Sequence, residues 1–291
     1  MTIMQMFLGI GAPVGGIQAT GGDQIVQPGN GYVYHTFTTP GPGTFTVSAG
    51  SLAGGTVELF MVGGGGTGNR FGGGGGGGAL IYKTGAPVAA QGYPVVIGAG
   101  GGSTGATFSG PGGPYPGGEG VDSTALGYTA AGGGHGGVSN MSGWHADPGG
   151  SGGGGAPRNP QYPPGNYGNA GTGSGDTGGS GGSVSPNNGW GNDGAVGSPS
   201  NANGGGGGGA GSVGNSVPGL GGSGLAYPDF AGPLLNVPTI PGTYAAGGPK
   251  GQSGPHSYPL GVIDNTGSGG GDYSNPSLYG RPGIVVIRYL E

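Results

Sequence analysis

The sequence predicts an all-β protein: a small antiparallel β-sandwich base that carries a long glycine-rich insertion and has essentially no α-helix. Three observations lead to this prediction. Segments rich in β-branched and aromatic residues lie near both ends of the chain. Glycine accounts for 89 of the 291 residues, and each glycine disfavours helix by about 1 kcal/mol relative to alanine. The glycines also occur in runs, of which residues 72–78 form the longest.

The amino-acid composition excludes several classes of protein. Only 6 % of the residues are charged and the net charge is −5, whereas charged disordered chains combine low hydrophobicity with high net charge. Six Lys and Arg residues are too few for an electrostatic nucleic-acid surface. No stretch approaches the ~20 apolar residues of a membrane-spanning helix. We therefore expect no nucleic-acid partner and no membrane span.

The strand candidates share alternating or continuous apolar residues and flanking turn residues. They are Tyr32–Thr38, Thr44–Ser48, Val57–Val62, Ala79–Lys83, Tyr93–Ile97, a weaker Thr124–Thr129, and Ile284–Leu290. Because an isolated strand is not stable, the last strand must return to the first group, and we expect it to pair with Val57–Val62 or a neighbour. The predicted organisation is an N-terminal docking arm over 1–30, a sandwich base over 31–97 plus 284–291, and a glycine-rich insertion over 98–283.

The glycine runs can be interpreted in two ways. They are either a flexible linker or segments that pack backbone against backbone. The alternation of the runs with patterned apolar segments favours packing. Extended helices with three residues per turn make no internal hydrogen bonds, so neighbouring segments would have to supply partners for each N–H and C=O. Only glycine lets backbones approach that closely, and the absence of a strict three-residue glycine repeat excludes collagen.

The first ten residues, MTIMQMFLGI, form an apolar segment without Lys or Arg. The candidate docking residues among its large apolar residues are Met4, Met6, Phe7, Leu8 and Ile10. The segment could pack on the body of its own subunit or dock on another protein, and the sequence favours neither.

Enzyme chemistry finds little support in the sequence. His135, His145 and His256 lie far apart, and with no cysteine in the chain they show no metal-ligand spacing. The three glutamates, Glu58, Glu119 and Glu291, offer no paired carboxylates for hydrolysis of a glycan. We expect a protein that is not an enzyme and that has no cofactor and no metal.

Aromatic residues beside Asn, Asp, Pro or His recur between the glycine runs. The candidate receptor-binding residues are Trp144, His145, Tyr162, Tyr167, Trp190 and Tyr227. Exposed rings can stack on sugar faces while amides and carboxylates bond hydroxyls. Alternatively, these rings cap the ends of the glycine segments or pack against neighbouring subunits. Trp144 and Trp190 are the first choices for binding because they lie mid-insertion, where we expect them to be far from the base.

The segments Tyr34–Thr38, Thr44–Val47, Val57–Gly66 and Gly283–Tyr289 together resemble the glycine-rich domain of bacteriophage tail-fibre and adhesin proteins. The resemblance covers about residues 32–289. It implies a stack of polyglycine-II helices whose variable distal loops contact the host surface, in a virion protein assembled in the cytoplasm of a bacterial host. It also implies that other virion proteins bind the arm and that a homotrimer is a candidate assembly, although a glycine stack can also be self-sufficient as a monomer.

Two functions follow from these expectations. The first is a tail-fibre tip or adhesin that binds a glycan or protein on the host cell surface. The second is a virion structural protein without a receptor, such as a head decoration, vertex fibre or connector, held by its N-terminal arm. Ice binding by a flat glycine face is disfavoured by the irregular aromatic loops.

Overall fold

The computed structural model describes residues 16–48, 55–69, 72–102, 107–110, 113–116, 118–137, 146–156, 172–177, 179–198, 204–235, 242–250, 266–271 and 279–291. The described chain is essentially all-β with antiparallel pairing. Helix in these ranges is limited to a 3-10 turn, Pro228–Phe230, and the four-residue helix α1, Gly232–Leu235.

The strands before the insertion are β1 Ala19–Thr20, β2 Gln24–Val26, β3 Tyr32–Phe37, β4 Gly41–Val47, β5 Gly55–Val62, β6 Leu80–Val88 and β7 Gly92–Ile97. The later strands are β8 Thr107–Gly110, β9 Gly113–Pro116, β10 Ser123–Ala125, β11 Tyr128–Ala130, β12 Leu225–Ala226, β13 Thr243–Tyr244 and β14 Ile284–Leu290. One five-stranded sheet has the order β1-β4-β7-β10-β11 and the other has the order β2-β3-β14-β5-β6. The pairs β8–β9 and β12–β13 are separate two-stranded sheets.

The last strand returns to the first group, as predicted. β14 lies between β3 and β5 and is antiparallel to both, with Val286 opposite Thr36 on one side and Phe60 on the other. This pairing places the start of β14 beside Val62, where the glycine-rich chain leaves the sheet.

Two predicted boundaries differ from the structure. β1 and β2 lie inside the segment 1–30, which the sequence predicts to be a docking arm separate from the base, and they form the edges of the two sheets. The hairpin β10–β11 lies in the predicted insertion but extends the first sheet beside β7. Because β1 and β2 contain only two or three residues each, their sequence patterns are too short to be distinguished from loops. The single weak strand predicted at Thr124–Thr129 is instead part of the β10–β11 hairpin, with Leu126 and Gly127 in its turn.

The β2-β3-β14-β5-β6 sheet is buried on both faces. One face packs against the first sheet through a cluster that includes Phe45, Leu59 and Val285. The opposite face carries Phe60 and Val286, which are covered by residues of the segment 225–245. The segment also contributes Phe230, whose ring stacks on that of Phe60 with 4.6 Å between ring centroids.

Arg288 links this covering segment to the sheet. Its guanidinium lies 4.4 Å from the ring centroid of Tyr32 and 4.6 Å from that of Phe230, and its Nη2 is 2.7 Å from Oε2 of Glu58. Tyr82 donates a hydrogen bond of 2.7 Å to the same carboxylate oxygen. The buried cation is therefore paired with a carboxylate and enclosed by aromatic rings, and it helps to attach the 225–235 region to the sandwich.

The glycine segments lie side by side and are joined by backbone hydrogen bonds. Within residues 73–78, every third N–H donates to the same neighbouring segment. The donor–acceptor pairs are Gly73–Gly137 and Gly76–Gly134, Gly74–Gly205 and Gly77–Gly208, and Gly75–Gly270 and Gly78–Gly267, with N···O distances from 2.8 to 3.0 Å. The carbonyls of Gly73–Gly77 accept from three further segments, through Gly66 and Asn69, Ser151 and Gly154, and Gly248.

Residues 72–79 thus have six neighbouring segments, and the hydrogen bonds to them replace a side-chain core. A Cβ atom added at Gly75 would lie 2.1 Å from the carbonyl oxygen of Gly66, a distance that real Cβ atoms essentially never show. We refer to the described segments bonded in this way, within 63–79, 98–102, 118–122, 131–156, 190–224, 244–250 and 266–283, as the glycine stack.

Candidate binding site at the far end of the glycine stack

The glycine stack has one end at the sandwich and one end away from it. Residues 63–69 leave the end of β5, and residues 72–79 return to the start of β6. Asn69 and Gly72 therefore mark the far end, where the Gly72 N–H donates to the Asn69 carbonyl oxygen at 2.9 Å. Asn69 is buried and its side-chain amide donates to the carbonyl oxygen of Gly136 in the adjacent segment.

Most of the breaks in the described stack begin and end near this far end. The described residues that flank those breaks are Gly102 and Gly118, Gly137 and Ala146, Ala156, Ser198 and Gly204, Lys250, Gly271 and Tyr279. The carbonyl oxygen of Gly137 accepts a hydrogen bond from the N–H of Gly73, and that of Gly118 accepts one from the N–H of Thr67. Gly137 and Gly118 therefore both lie near the far end. The chain therefore enters and leaves the stack repeatedly at the same end.

Four of the predicted receptor-binding residues, Trp144, His145, Tyr162 and Tyr167, lie outside the described residues. In sequence, Trp144 and His145 are flanked by the described residues Gly137 and Ala146, and Tyr162 and Tyr167 by Ala156 and Thr172. The carbonyl oxygen of Thr172 accepts the N–H of Gly149, whose neighbour Gly150 lies against Ala79 at the sandwich end of the stack. Asp147 donates its N–H to the carbonyl oxygen of His135, and Gly155 donates to that of Ala195, in both cases towards the far end. The prediction that these four side chains bind a receptor remains a prediction. The candidate docking residues Met4, Met6, Phe7, Leu8 and Ile10 likewise lie outside the described residues.

Trp190 lies at the sandwich end of the stack, so the expectation that it is far from the base is wrong. Its N–H donates to the carbonyl oxygen of Leu80 at 2.8 Å, and the N–H of Leu80 donates back to Trp190 at 3.1 Å. Leu80 is the first residue of β6. The partly buried Trp190 side chain packs against the cluster on the outer face of the sheet, which agrees with the capping alternative.

Tyr227 is also part of the apolar cluster and not of an exposed loop. Its side chain is 1 % exposed, and its ring centroid lies 5.2 Å from that of Phe60. The hydroxyl donates to the carbonyl oxygen of Ser183 at 2.8 Å. Burial raises the pKa of Tyr227 to about 12. This ring shields the sheet, so it has no free face on which a sugar could stack.

A polar cluster that the sequence analysis missed joins three segments of the stack. Nε2 of His135 lies 2.8 Å from Oδ2 of Asp147. The pKa of Glu119 is raised, first by desolvation and then by the negative charge of Asp147 and a hydrogen bond with its side chain. The carboxyl group of Glu119 therefore lies close to that of Asp147, although the two residues are distant in sequence.

The three residues of this cluster are 12 to 28 positions apart, and only the packing of their segments brings them together. No sequence motif signals such a cluster. The side chains of this cluster can donate and accept hydrogen bonds. Within the described ranges, no group of three or more His, Asp or Glu side chains is arranged to hold a metal ion.

No protein-family model matches the chain, and no curated protein is significantly similar to it. Among the described residues, no helix is both long enough and apolar enough to cross a membrane.

Proposed function

We propose that this protein is a bacteriophage tail-fibre tip or adhesin that binds a glycan or protein on the host cell surface through the far end of its glycine stack. The observation that carries the proposal is the common end at which the chain repeatedly leaves the stack. Segments at one end of a rigid scaffold are suited to form a joint binding surface, as loops on other scaffolds do. The aromatic and amide side chains in the intervening sequences supply the chemistry for sugar recognition.

The scaffold in this proposal is a stack of polyglycine-II helices. The three-residue period of the hydrogen bonds from Gly73 to Gly78 supports it, because a helix with three residues per turn directs every third N–H to the same neighbour. A stack of this kind needs no charged or large apolar side chains. Rigidity of the scaffold on which a binding surface is built lowers the entropy lost on binding.

Binding of the purified protein to bacterial cells tests the proposal. Trp144→Ala, His145→Ala, Tyr162→Ala and Tyr167→Ala are compared with Leu290→Ala, a control at a 65 % exposed position at the opposite pole of the sandwich. We expect at least one of these four variants to lose about tenfold or more in affinity with an unchanged melting temperature, because a few residues carry most of the energy of an interface. Failure of the unmodified protein to bind any host that the phage infects would contradict the proposal. Wild-type affinity in all four variants would contradict the assignment to these residues.

A virion structural role without a receptor is the second candidate, and one observation favours it. Gly16, the first described residue, lies beside Leu290 and Glu291 at the pole opposite the stack. An arm leaving from this pole could attach the subunit to the particle while the stack points outward. Removal of residues 1–15 tests this role: loss of the chain from assembled particles with unchanged binding to cells would favour attachment by the arm.

A further inference from the structure

The sandwich has an open groove at the pole opposite the glycine stack. The groove has a volume of 510 Å³, and its lining is mixed. The apolar residues that line it are Ile17, Ala19, Ile25, Val33 and Tyr289, and the polar ones are Gln18, Gln27 and Glu291. It lies where β1 and β2, the edge strands of the two sheets, come together. One side of the gap between the sheets is therefore not closed by the described residues.

Ile25 shows most clearly that the groove lacks a cover. It stands directly opposite His35 in the β2–β3 pair, so both side chains project from the same face of the sheet. That face is the inner one, because His35 packs on Phe45 of the other sheet with 5.1 Å between ring centroids. Although His35 is fully buried, Ile25 is 52 % exposed. An inward-facing isoleucine with half its surface exposed is expected where a further segment covers it.

Residues 1–15 have the position and the composition to supply that cover. Gly16 itself lines the groove, so the preceding residue begins at its rim. Residues 11–16, GAPVGG, provide the glycine and proline needed for a reversal of the chain. The ten residues before them contain seven large apolar side chains and no charged side chain, which suits the apolar part of the groove at Ile17, Ile25 and Val33.

We propose that the segment Met1–Ile10 occupies this groove in its own chain and covers Ile25. The short connection favours this intramolecular arrangement, because a short linker keeps the segment at an effective concentration in the millimolar range. The same segment of a second copy would have to compete with that concentration. The inference is independent of the receptor-binding proposal, since the groove and the far end of the stack lie at opposite poles.

Disulfide trapping in the full-length chain tests the inference, because the chain has no cysteine of its own. Ile25→Cys is combined in turn with Met4→Cys, Met6→Cys, Phe7→Cys, Leu8→Cys or Ile10→Cys. The matched control combines the same five substitutions with Val217→Cys, at a 60 % exposed position on the side of the stack. Disulfide formation under mild oxidation is followed by electrophoretic mobility at several protein concentrations.

We expect at least one pair with Cys at position 25 to form an intrachain disulfide about tenfold faster or more than its control, at a rate independent of protein concentration. Equal rates in both series would overturn the inference. Disulfide-linked dimers whose formation accelerates with protein concentration would also overturn it, because the segment would then occupy the groove of another copy. Circular dichroism of the reduced variants verifies that each has the fold of the unmodified protein.

Discussion

His35 is a buried histidine with partners for both ring nitrogens. Nδ1 lies 2.7 Å from the carbonyl oxygen of Gly21, and Nε2 lies 3.1 Å from the hydroxyl of Tyr289. Since a carbonyl oxygen only accepts, Nδ1 carries the proton, and neutral Nε2 accepts from Tyr289. The His35 ring therefore joins Gly21, which lies between β1 and β2, to Tyr289 of the central strand β14. Burial lowers the pKa of His35, against the opposing effect of the bond to Gly21.

The lowered pKa predicts a loss of stability in mild acid. Below the unfolded-state pKa of about 6.5, the unfolded chain binds a proton that the folded chain does not, so stability falls as the pH drops through this value towards the lower folded pKa. For one such histidine the loss between pH 7.5 and 5.5 is at most about 1.4 kcal/mol. Urea unfolding at the two pH values measures it.

The matched variant for this prediction is His35→Gln, which removes the titrating ring while retaining a donor and an acceptor. We expect the variant to be less stable at pH 7.5 but to lose less stability than the unmodified protein on going to pH 5.5. An equal loss in both proteins would show that other groups cause the pH dependence.

At the scale of the element, the glycine segment 72–79 behaves as a buried strand does in an ordinary protein, but its partners surround it on all sides. Each N–H of Gly73–Gly78 has an acceptor in a neighbouring segment. The net contribution of each such bond is about 1 kcal/mol, close to the backbone entropy lost by each ordered residue. The segment is therefore stable only while nearly all of its neighbours are in place, and a side chain that separates them should be costly.

Alanine substitution at two glycines distinguishes a steric clash of the new Cβ atom from the general effect of replacing a glycine by alanine. In Gly75→Ala the new Cβ would lie 2.1 Å from the backbone oxygen of Gly66, whereas in Gly118→Ala the nearest atom, the amide nitrogen of Gly102, is 3.5 Å away. We expect Gly75→Ala to destabilise the protein by roughly 3 kcal/mol or more, and Gly75→Val by more still, because neighbouring backbones must move. Gly118→Ala should have little effect or be slightly stabilising. Denaturant unfolding of the variants measures both effects, and equal stabilities for Gly75→Ala and Gly118→Ala would show that residues 72–79 do not pack as described.

At the scale of the whole molecule, the strands could be predicted and the partners of the glycine segments could not. β5 and β14 have apolar patterns, and the pairing of β14 beside β5 followed from the need of an isolated strand for a partner. A glycine segment has no side-chain pattern, so nothing in its sequence indicates that Gly74 bonds to Gly205 while Gly75 bonds to Gly270.

The errors over Trp190 and Tyr227 have a related cause. The middle of an insertion was expected to be its most distant part, but the stack returns to the sandwich several times, and Trp190 lies at one of these returns beside Leu80.

A signal for the burial of Tyr227 was present elsewhere in the chain. Val57–Val62 and Ile284–Leu290 are nearly continuous apolar runs, which is typical of strands buried on both faces. A second covering layer over this sheet was therefore predictable, although its identity as the 225–245 region was not.

The central claim is that the glycine stack, with almost no side chains, forms a core as ordered as that of the sandwich. Amide hydrogen exchange of residues 73–78, compared with that of β14 in the same protein, tests this claim most directly. Because these amides are hydrogen-bonded and enclosed by neighbouring segments, we predict exchange only by opening of a large part of the molecule, with protection close to that of Ile284–Leu290. Exchange of residues 73–78 at the rate of an unstructured chain, while β14 remains protected, would show that the glycine run is a linker and would contradict the claim.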